Sequence, residues 1–237
     1  MIFGLFRFDW TILLVIPGLI ISIWAQIKVK TTFEKYSKVY TRGGMTGSIA
    51  ARKILDDNGL QHVKIEQISG HLSDHYDPRA NVIRLSTSVY ASTSPAAIGV
   101  AAHEAGHAIQ YAKNYAPIRL RAGLVKITGI SSMLAIPLFF IGLLFASETL
   151  VGETLMLVGI LLYATIAFFQ LVTLPVEFNA SSRALKVLNS SGMLNAEEIS
   201  ASKEVLTAAA MTYVAALVTS LLTLLRLVVL AGGRRRN

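Results

Sequence analysis

The chain has 237 residues, of which 53% are hydrophobic and only 15% are charged. Because a soluble domain carries about 25% charged residues, this composition predicts a membrane protein with room for one modest soluble domain. The sequence contains no cysteine, which excludes disulfides and thiolate metal sites, so a bound metal would need histidine, aspartate or glutamate ligands. The net charge of +8 indicates basic loops beside anionic lipid, and we expect no nucleic-acid partner.

Four apolar runs are long enough to cross a bilayer, which requires about 20 residues. They cover residues 10–27, 127–146, 154–174 and 211–231, and the last of them contains Arg226. The first run could instead be a secretory signal. Its n-region, however, holds an aspartate as well as one arginine, and no small-residue cleavage site follows it. We therefore predict an uncleaved anchor.

These runs divide the chain into five predicted parts. Residues 1–27 form an N-terminal anchor and residues 28–126 a soluble domain. A transmembrane hairpin covers residues 127–174, and a helical segment covers residues 175–210. Residues 211–237 form a C-terminal transmembrane or interfacial helix with a basic tail. We thus expect a mostly α-helical membrane protein with about four transmembrane helices and a small α+β domain.

The soluble domain begins with signals for a helix and two strands. Residues 46–58 predict a helix that ends at Gly59. Alternation of apolar and polar residues over 62–68 predicts a strand, and residues 81–86 predict a second one after the turn at Asp77-Pro78. The second strand is either an edge strand that pairs with an extended peptide substrate or an ordinary half-buried strand.

A helix predicted from Ser94-Pro95 to about residue 111 contains the pattern H-E-x-x-H. Positions i and i+4 share one helix face, so His103 and His107 can bind one zinc ion. Glu104 lies about 100° round the helix from His103, where it can act as general base toward an attacking water. Gly106 in the helix interior costs about 1 kcal/mol relative to alanine, which is usually tolerated where another backbone comes close. Alternatively, a histidine pair of this kind is simply packed or solvated.

Catalytic zinc takes three protein ligands and leaves one position open for water. A second helix is predicted to begin at Pro175, directly after the third apolar run, and it has Glu177 in its first turn. The carboxylate is either the third ligand or an acid that the helix dipole favours at that place. His71 and His75 are the next candidates for the third ligand.

Three blocks of sequence resemble the YugP-type membrane-bound neutral zinc metallopeptidases: DHYDPR at 74–79, HEAGHAIQ at 103–110 and LPVEFNAS at 174–181. The likeness runs from about residue 28 to the end and extends to the clan of CAAX prenyl proteases and heat-shock membrane proteases. It implies a zincin-like domain with an active-site helix and a short edge sheet. It further implies one catalytic zinc ion held by His103, His107 and Glu177, with Glu104 as general base.

Two positions depart from the wider clan's pattern. Ser181 stands where the clan usually has an aspartate, and Asn179 stands where we expect an acid. What orients the two imidazole rings is therefore left open. A second oxyanion donor is also usual in such sites, and Arg183, His75 and Tyr76 are candidates by their chemistry.

We therefore predict a membrane-embedded zinc endopeptidase that hydrolyses peptides or membrane-protein substrates with a zinc-activated water. A site-2-type intramembrane protease is less consistent with a motif helix whose apolar run is short. A metal transporter would carry ionisable residues within several spans, whereas only Arg226 lies clearly inside one. A non-catalytic zinc-binding scaffold would be supported by a closed site of four ligands. Activity that is retained after the loss of Glu104 would also favour it.

Charge near the span ends predicts that the catalytic face is cytoplasmic. Basic residues follow the first run, precede the second and follow the third, whereas residues 147–153 hold two acids and no base. Two crossings separate His103 from Glu177, which places both on one side. The arginines at 234–236 break this rule if the last run also crosses, so that run either spans the bilayer or lies at its surface.

Overall fold

The computed structural model describes residues 9–145 and 149–234, with seven α-helices and three strands in this part of the chain. A 3-10 helix (Trp10–Leu14) leads into the first α-helix. The elements that follow are α1 (Ile16–Ser37), α2 (Gly47–Asp57), β1 (Lys64–Ile68), β2 (His75–Asp77), β3 (Val82–Ser86), α3 (Thr87–Tyr90), α4 (Pro95–Ala112), α5 (Ala116–Phe145), α6 (Leu150–Ser190) and α7 (Ala196–Arg234).

Four helical segments among the described residues are long and apolar enough to cross a membrane. They are Trp10–Ser37, Ala116–Phe145, Leu150–Ser190 and Ala196–Gly233. Each contains one of the four apolar runs, except that Ala146, the last residue of the second run, lies outside the described residues. The predicted fold class, a mostly helical membrane protein with a small α+β region, is confirmed.

The predicted helix start at Pro175 is wrong. Helix α6 runs from Leu150 to Ser190 without a break, with Pro175 inside it. Proline removes one backbone hydrogen bond within a helix, but long membrane helices tolerate it where neighbouring groups satisfy the freed carbonyl. Glu177 therefore lies deep within the helix rather than in a first turn, and the helix dipole no longer accounts for its carboxylate.

The small sheet has the order β1-β3-β2, so β3 is its central strand. It pairs in parallel with β1 and antiparallel with β2. Four of its five residues are buried. The alternative in which this strand forms the sheet edge that receives a substrate is therefore wrong, because both of its sides are already paired. Strand β2 lies at one edge instead, and its three residues are too few to produce a periodic signal in the sequence.

The chain divides into two compact units. We call the first the site unit; it comprises Ala25–Leu120 and Val172–Tyr213. The sheet packs there with α2, α3, α4 and parts of the long helices. The largest fully buried apolar side chains of its core are Phe33, Ile54, Leu55, Val63, Ile83, Leu85, Ile98 and Leu188.

The second unit comprises the described residues of Met1–Trp24, Arg121–Leu171 and Val214–Asn237. Helices α1 and α7 run antiparallel in it. The hydroxyl of Thr219 donates to the Gly18 carbonyl at 3.0 Å, and further along α7 the guanidinium of Arg226 pairs with Asp9 at 2.6 Å. Arg226 Nε also donates to Thr11 Oγ1 at 3.3 Å. This pairing explains how an arginine is accommodated within an apolar helix.

Candidate metal centre

Helix α4 carries the H-E-x-x-H motif on a well-defined scaffold. It begins as predicted: the Ser94 hydroxyl accepts from the Ala97 amide at 3.2 Å, and Pro95 occupies the first turn. His103 and His107 lie one turn apart, and Gln110 follows on the same face. Gln110 is fully buried, whereas small parts of both imidazole rings remain exposed.

Three side chains converge at this face. Glu177 Oε2 on α6 lies 3.2 Å from His103 Nε2 and 3.5 Å from His107 Nε2. The three ligand atoms all lie within 4.8 Å of one another, so these residues could form a metal site. A tetrahedral zinc ion with bonds of about 2.0–2.2 Å separates its ligand atoms by about 3.3–3.6 Å. The donor set fits zinc in its chemistry, and the two distances from Glu177 to the histidines are close to this spacing.

The orientation of His107 is fixed by Gln110. The Gln110 amide nitrogen donates to the Val176 carbonyl at 2.8 Å and to Asn179 Oδ1 at 3.0 Å, both on α6. The amide oxygen of Gln110 is thereby turned toward His107 Nδ1, at 3.0 Å. Because that oxygen can only accept, His107 donates from Nδ1, and in the neutral ring Nε2 is left as the atom that can bind a metal ion.

His103 is held by the serine that replaces the clan's usual aspartate. Its Nδ1 lies 3.0 Å from the hydroxyl of Ser181, which follows Glu177 by one turn on α6. Asn179, the other departing position, accepts from Gln110 and from Arg183 Nε at 2.7 Å. Ser181 and Asn179 therefore both belong to the hydrogen-bond network that orients the imidazole rings. No local pattern indicated a role for Gln110, because that role depends on contacts with α6.

The charges at the site favour a cation between the three ligand atoms. Burial alone would lower the pKa of His107, but its hydrogen bond with Glu177 and the charges of Glu104 and Glu177 outweigh that effect and raise the pKa above its usual value. The same negative potential that stabilises a protonated imidazole would stabilise a bound metal ion.

Glu104 stands apart from the three converging ligands. Its Oε2 accepts a hydrogen bond of 2.9 Å from the backbone amide of Tyr76 in β2, and its side chain is largely buried. It lines the same cavity as His103 and Glu177. The carboxylate is therefore fixed beside the candidate metal centre by the edge strand of the sheet.

Residues of the DHYDPR block hold in place the strand that contacts Glu104. Asp74 accepts from the Ser86 amide at 2.7 Å and from the Ser86 hydroxyl at 3.0 Å, which ties the segment before β2 to the end of β3. Burial and the nearby charge of Glu104 raise the pKa of Asp74, against the effect of these hydrogen bonds. Asp77 forms an ion pair of 3.0 Å with Arg84 across the strands.

The residues that the sequence offered as a second oxyanion donor or as an alternative third ligand make contacts elsewhere. Arg183 binds Asn179 and lies over the Tyr115 ring, and the Tyr76 hydroxyl donates to Asn81 at 3.0 Å. The imidazole of His75 is exposed and bonds to the Ser73 carbonyl at 2.9 Å, and His71 packs edge-on against Phe33. Neither of these two histidines joins the metal group found among the described residues.

Comparison with known proteins identifies the family of the chain. A protein-family model described as "Putative neutral zinc metallopeptidase" matches residues 11–232. The chain belongs to this family. It is also 48% identical over 227 residues to "Putative membrane protease YugP" of Bacillus subtilis (strain 168), which covers 95% of this chain and 99% of that protein. No solved structure matches the chain. The resemblance inferred from the three sequence blocks is confirmed.

The hydroxyl of Ser181 provides a test of the imidazole network. Ser181→Ala should lower zinc affinity by about 10–100-fold, the usual cost of removing a group that orients a metal-binding histidine. Zinc affinity would be measured by competition with a chromogenic chelator. Ser182→Ala is the matched control, because Ser182 is exposed on the same helix. Equal affinity in the two variants would show that Ser181 does not orient His103.

Gly106 permits α4 and α6 to approach closely, as its place in a helix interior predicted. A Cβ atom at this position would lie 2.7 Å from the Ala180 carbonyl oxygen and 3.3 Å from the Ala180 Cα. Because these are backbone atoms, they can move away only if the helices separate. Gly106 therefore sets the distance between the histidine pair and Glu177.

We expect Gly106→Ala to destabilise the site unit by about 1–3 kcal/mol, the usual cost of overpacking, and to weaken zinc binding. Thermal unfolding in detergent and zinc content would report the two effects. Gly123→Ala in α5 is the control, since nothing lies within 4 Å of a Cβ there. The close approach is not critical if the two variants unfold at the same temperature and retain equal zinc.

Proposed function

We propose that the chain is a membrane-embedded zinc endopeptidase. One observation carries the proposal: the ligand atoms of His103, His107 and Glu177 converge within 4.8 Å of one another, while the carboxylate of Glu104 is held beside them in the same cavity. This combination of three ligands and a separate, fixed acid is the arrangement that metal-assisted hydrolysis of a peptide bond requires.

His103 and His107 would bind the ion through Nε2, and Glu177 through Oε2. When bound, zinc supplies a Lewis acid that activates water and polarises the scissile carbonyl. Gln110 and Ser181 keep both rings in the orientation that presents Nε2 to the ion. The three protein ligands leave a coordination position open, as in catalytic rather than structural zinc sites.

Glu104 acts as the general base in this proposal. Its Oε2 keeps the hydrogen bond from the Tyr76 amide, and Oε1 accepts the proton of the attacking water. The carboxyl group then returns this proton to the leaving amine. Strand β2 thus serves the reaction by fixing the rotamer of the base.

The alternatives predict features that the described residues do not show. A structural zinc scaffold needs a fourth protein ligand, but the metal group found in this part of the chain has three. A site-2-type protease needs its motif inside a span, whereas α4 is not among the candidate spans. A transporter would use ionisable residues inside its spans, but Arg226 is paired with Asp9.

The experiment is cleavage of an unfolded test protein by the chain purified in detergent. We expect cleavage that a zinc chelator abolishes and that added zinc restores. Peptides or membrane proteins are the proposed substrates, and the lipid bilayer is the expected environment. Cleavage that persists at full rate after complete removal of zinc would contradict the proposal.

We further propose that the site unit faces the cytoplasm, on the basis of the charges near the span ends. Because the chain has no cysteine, single cysteines can report this. Tyr40 and Ser190 are exposed parts of the site unit, and Thr149 is exposed between the second and third candidate spans.

Cysteines at Tyr40 and Ser190 should react with an impermeant thiol reagent only after cells are permeabilised. A cysteine at Thr149 should react in intact cells. The reverse pattern would mean that the site unit faces outward. Labelling would be read as a mass shift on a gel.

A further inference from the structure

A cavity of about 270 Å³ opens beside the candidate metal centre, wholly within the site unit. Its polar end is formed by His103, Glu104 and Glu177 together with Asp74 and Ser181. The rest of its wall comes mainly from apolar residues of α1, α4 and α7. Its size is close to the lower end of ligand pockets, which run from about 300 to 1,000 Å³. The cavity therefore joins the proposed catalytic groups to a largely apolar compartment.

The wall away from this polar end is largely apolar, apart from the hydroxyl groups of Thr212 and Tyr213. Phe33, Val205 and Leu206 are almost fully buried and present apolar surface. The hydroxyl of Thr212 donates to the Ala209 carbonyl at 2.7 Å within α7. A polar group placed against this wall would lose its hydrogen bonds to water, whereas an apolar group would gain from burial.

Leu72 contributes to this wall from a strained backbone conformation. Its φ is 54°, in the left-handed region that leucine rarely adopts. The other non-glycine residues with positive φ are both asparagines among the described residues, and asparagine tolerates this region. The Leu72 side chain is 38% exposed, so burial in the core does not explain the strain. Strain of this kind is typical of residues that a binding site uses.

We propose that this cavity binds the apolar side chain of the substrate residue that flanks the scissile bond, with Leu72 as a specificity-determining residue. The inference rests on the proposed peptidase function and names its substrate preference. A large apolar side chain seated in the cavity brings its own backbone to the polar end, where His103, Glu104 and Glu177 lie. A small side chain leaves the cavity unfilled and gains less from binding.

The test begins with the sites at which the wild-type chain cuts an unfolded protein, mapped by mass spectrometry. A pair of synthetic peptides, one with leucine and one with alanine, is then made for each of the two positions that flank the most frequent site. We expect kcat/KM to be at least about 10-fold higher for leucine at one of these positions, in line with the loss that missing methylene groups cause in an apolar pocket.

Two variants test the cavity itself. Ala209 lies half-buried on its wall, so Ala209→Leu should fill it and lower the ratio of kcat/KM for the leucine peptide to that for the alanine peptide by at least about 10-fold. Thr207→Leu is the matched control, because Thr207 is exposed on the same helix and outside the cavity. Leu72→Ala should lower the same ratio.

The outcomes separate this inference from the proposed function. Equal cleavage of both peptides by the wild-type chain would overturn the inference alone. So would an Ala209→Leu variant that loses activity equally on both peptides while it remains folded and zinc-loaded. If the zinc-loaded wild-type chain cuts neither the unfolded protein nor any peptide, the proposed function fails and the inference fails with it.

Discussion

Glu104→Gln should retain zinc and remain folded, yet lose hydrolysis by at least about 100-fold, the usual scale for the loss of a general base. Glutamine has nearly the same shape and can still accept the hydrogen bond of the Tyr76 amide through its oxygen. It cannot take a proton from water. Because Glu104 lies outside the group of converging ligands, metal content should be unchanged.

The measurement is the rate of cleavage together with the zinc content of the same preparation. Glu34→Gln is the matched control, because Glu34 is exposed on α1. A Glu104→Gln variant that turns over like the wild-type chain would rule out Glu104 as the base. Loss of zinc from this variant would instead assign Glu104 to the ligands.

Glu177→Ala should release zinc as severely as His107→Ala does, since each change removes one of three ligands. The loss should exceed the roughly 10–100-fold that follows removal of a supporting residue such as Ser181. Zinc retained after dialysis against a weak chelator would be measured for each variant. Glu153→Ala, an exposed acid on the same helix, is the control for changed charge.

A Glu177→Ala variant that keeps a full equivalent of zinc as tightly as the wild-type chain would show that Glu177 is not a ligand. Comparison with His107→Ala matters because each variant also loses one contact between α4 and α6, that of His107 with Glu177. If both release zinc but remain folded, the effect belongs to the ligands rather than to the helix packing.

Features set by local sequence were predictable. The cap at Ser94, the proline that follows it and the i, i+4 spacing of His103 and His107 are properties of one helix, and α4 forms as expected. The apolar spans follow from composition over about 20 residues and were found where predicted. Gly106 was also read correctly, because a glycine in a helix interior needs a packing reason.

Features that depend on tertiary contact were missed or wrong. The role of Gln110 is set by Val176 and Asn179 on another helix, which no local pattern reveals. Pro175 suggested a helix start because proline is common in the first turn of a helix. The local sequence does not show that the helix continues on both sides of it. For the strand predicted at residues 81–86, a position at the sheet edge was one alternative. The actual edge next to Glu104 is β2, which is too short to detect in the sequence.

The ligand set at the metal centre is the central claim, and X-ray absorption at the zinc K edge of the purified wild-type chain tests it most directly. We expect one zinc ion per chain with four nitrogen or oxygen neighbours at about 2.0–2.2 Å, and scattering from two imidazole rings. The spectrum of a His107→Ala variant that still holds metal should show one ring fewer. A chain without zinc, or a zinc ion with no imidazole neighbours, would contradict the account.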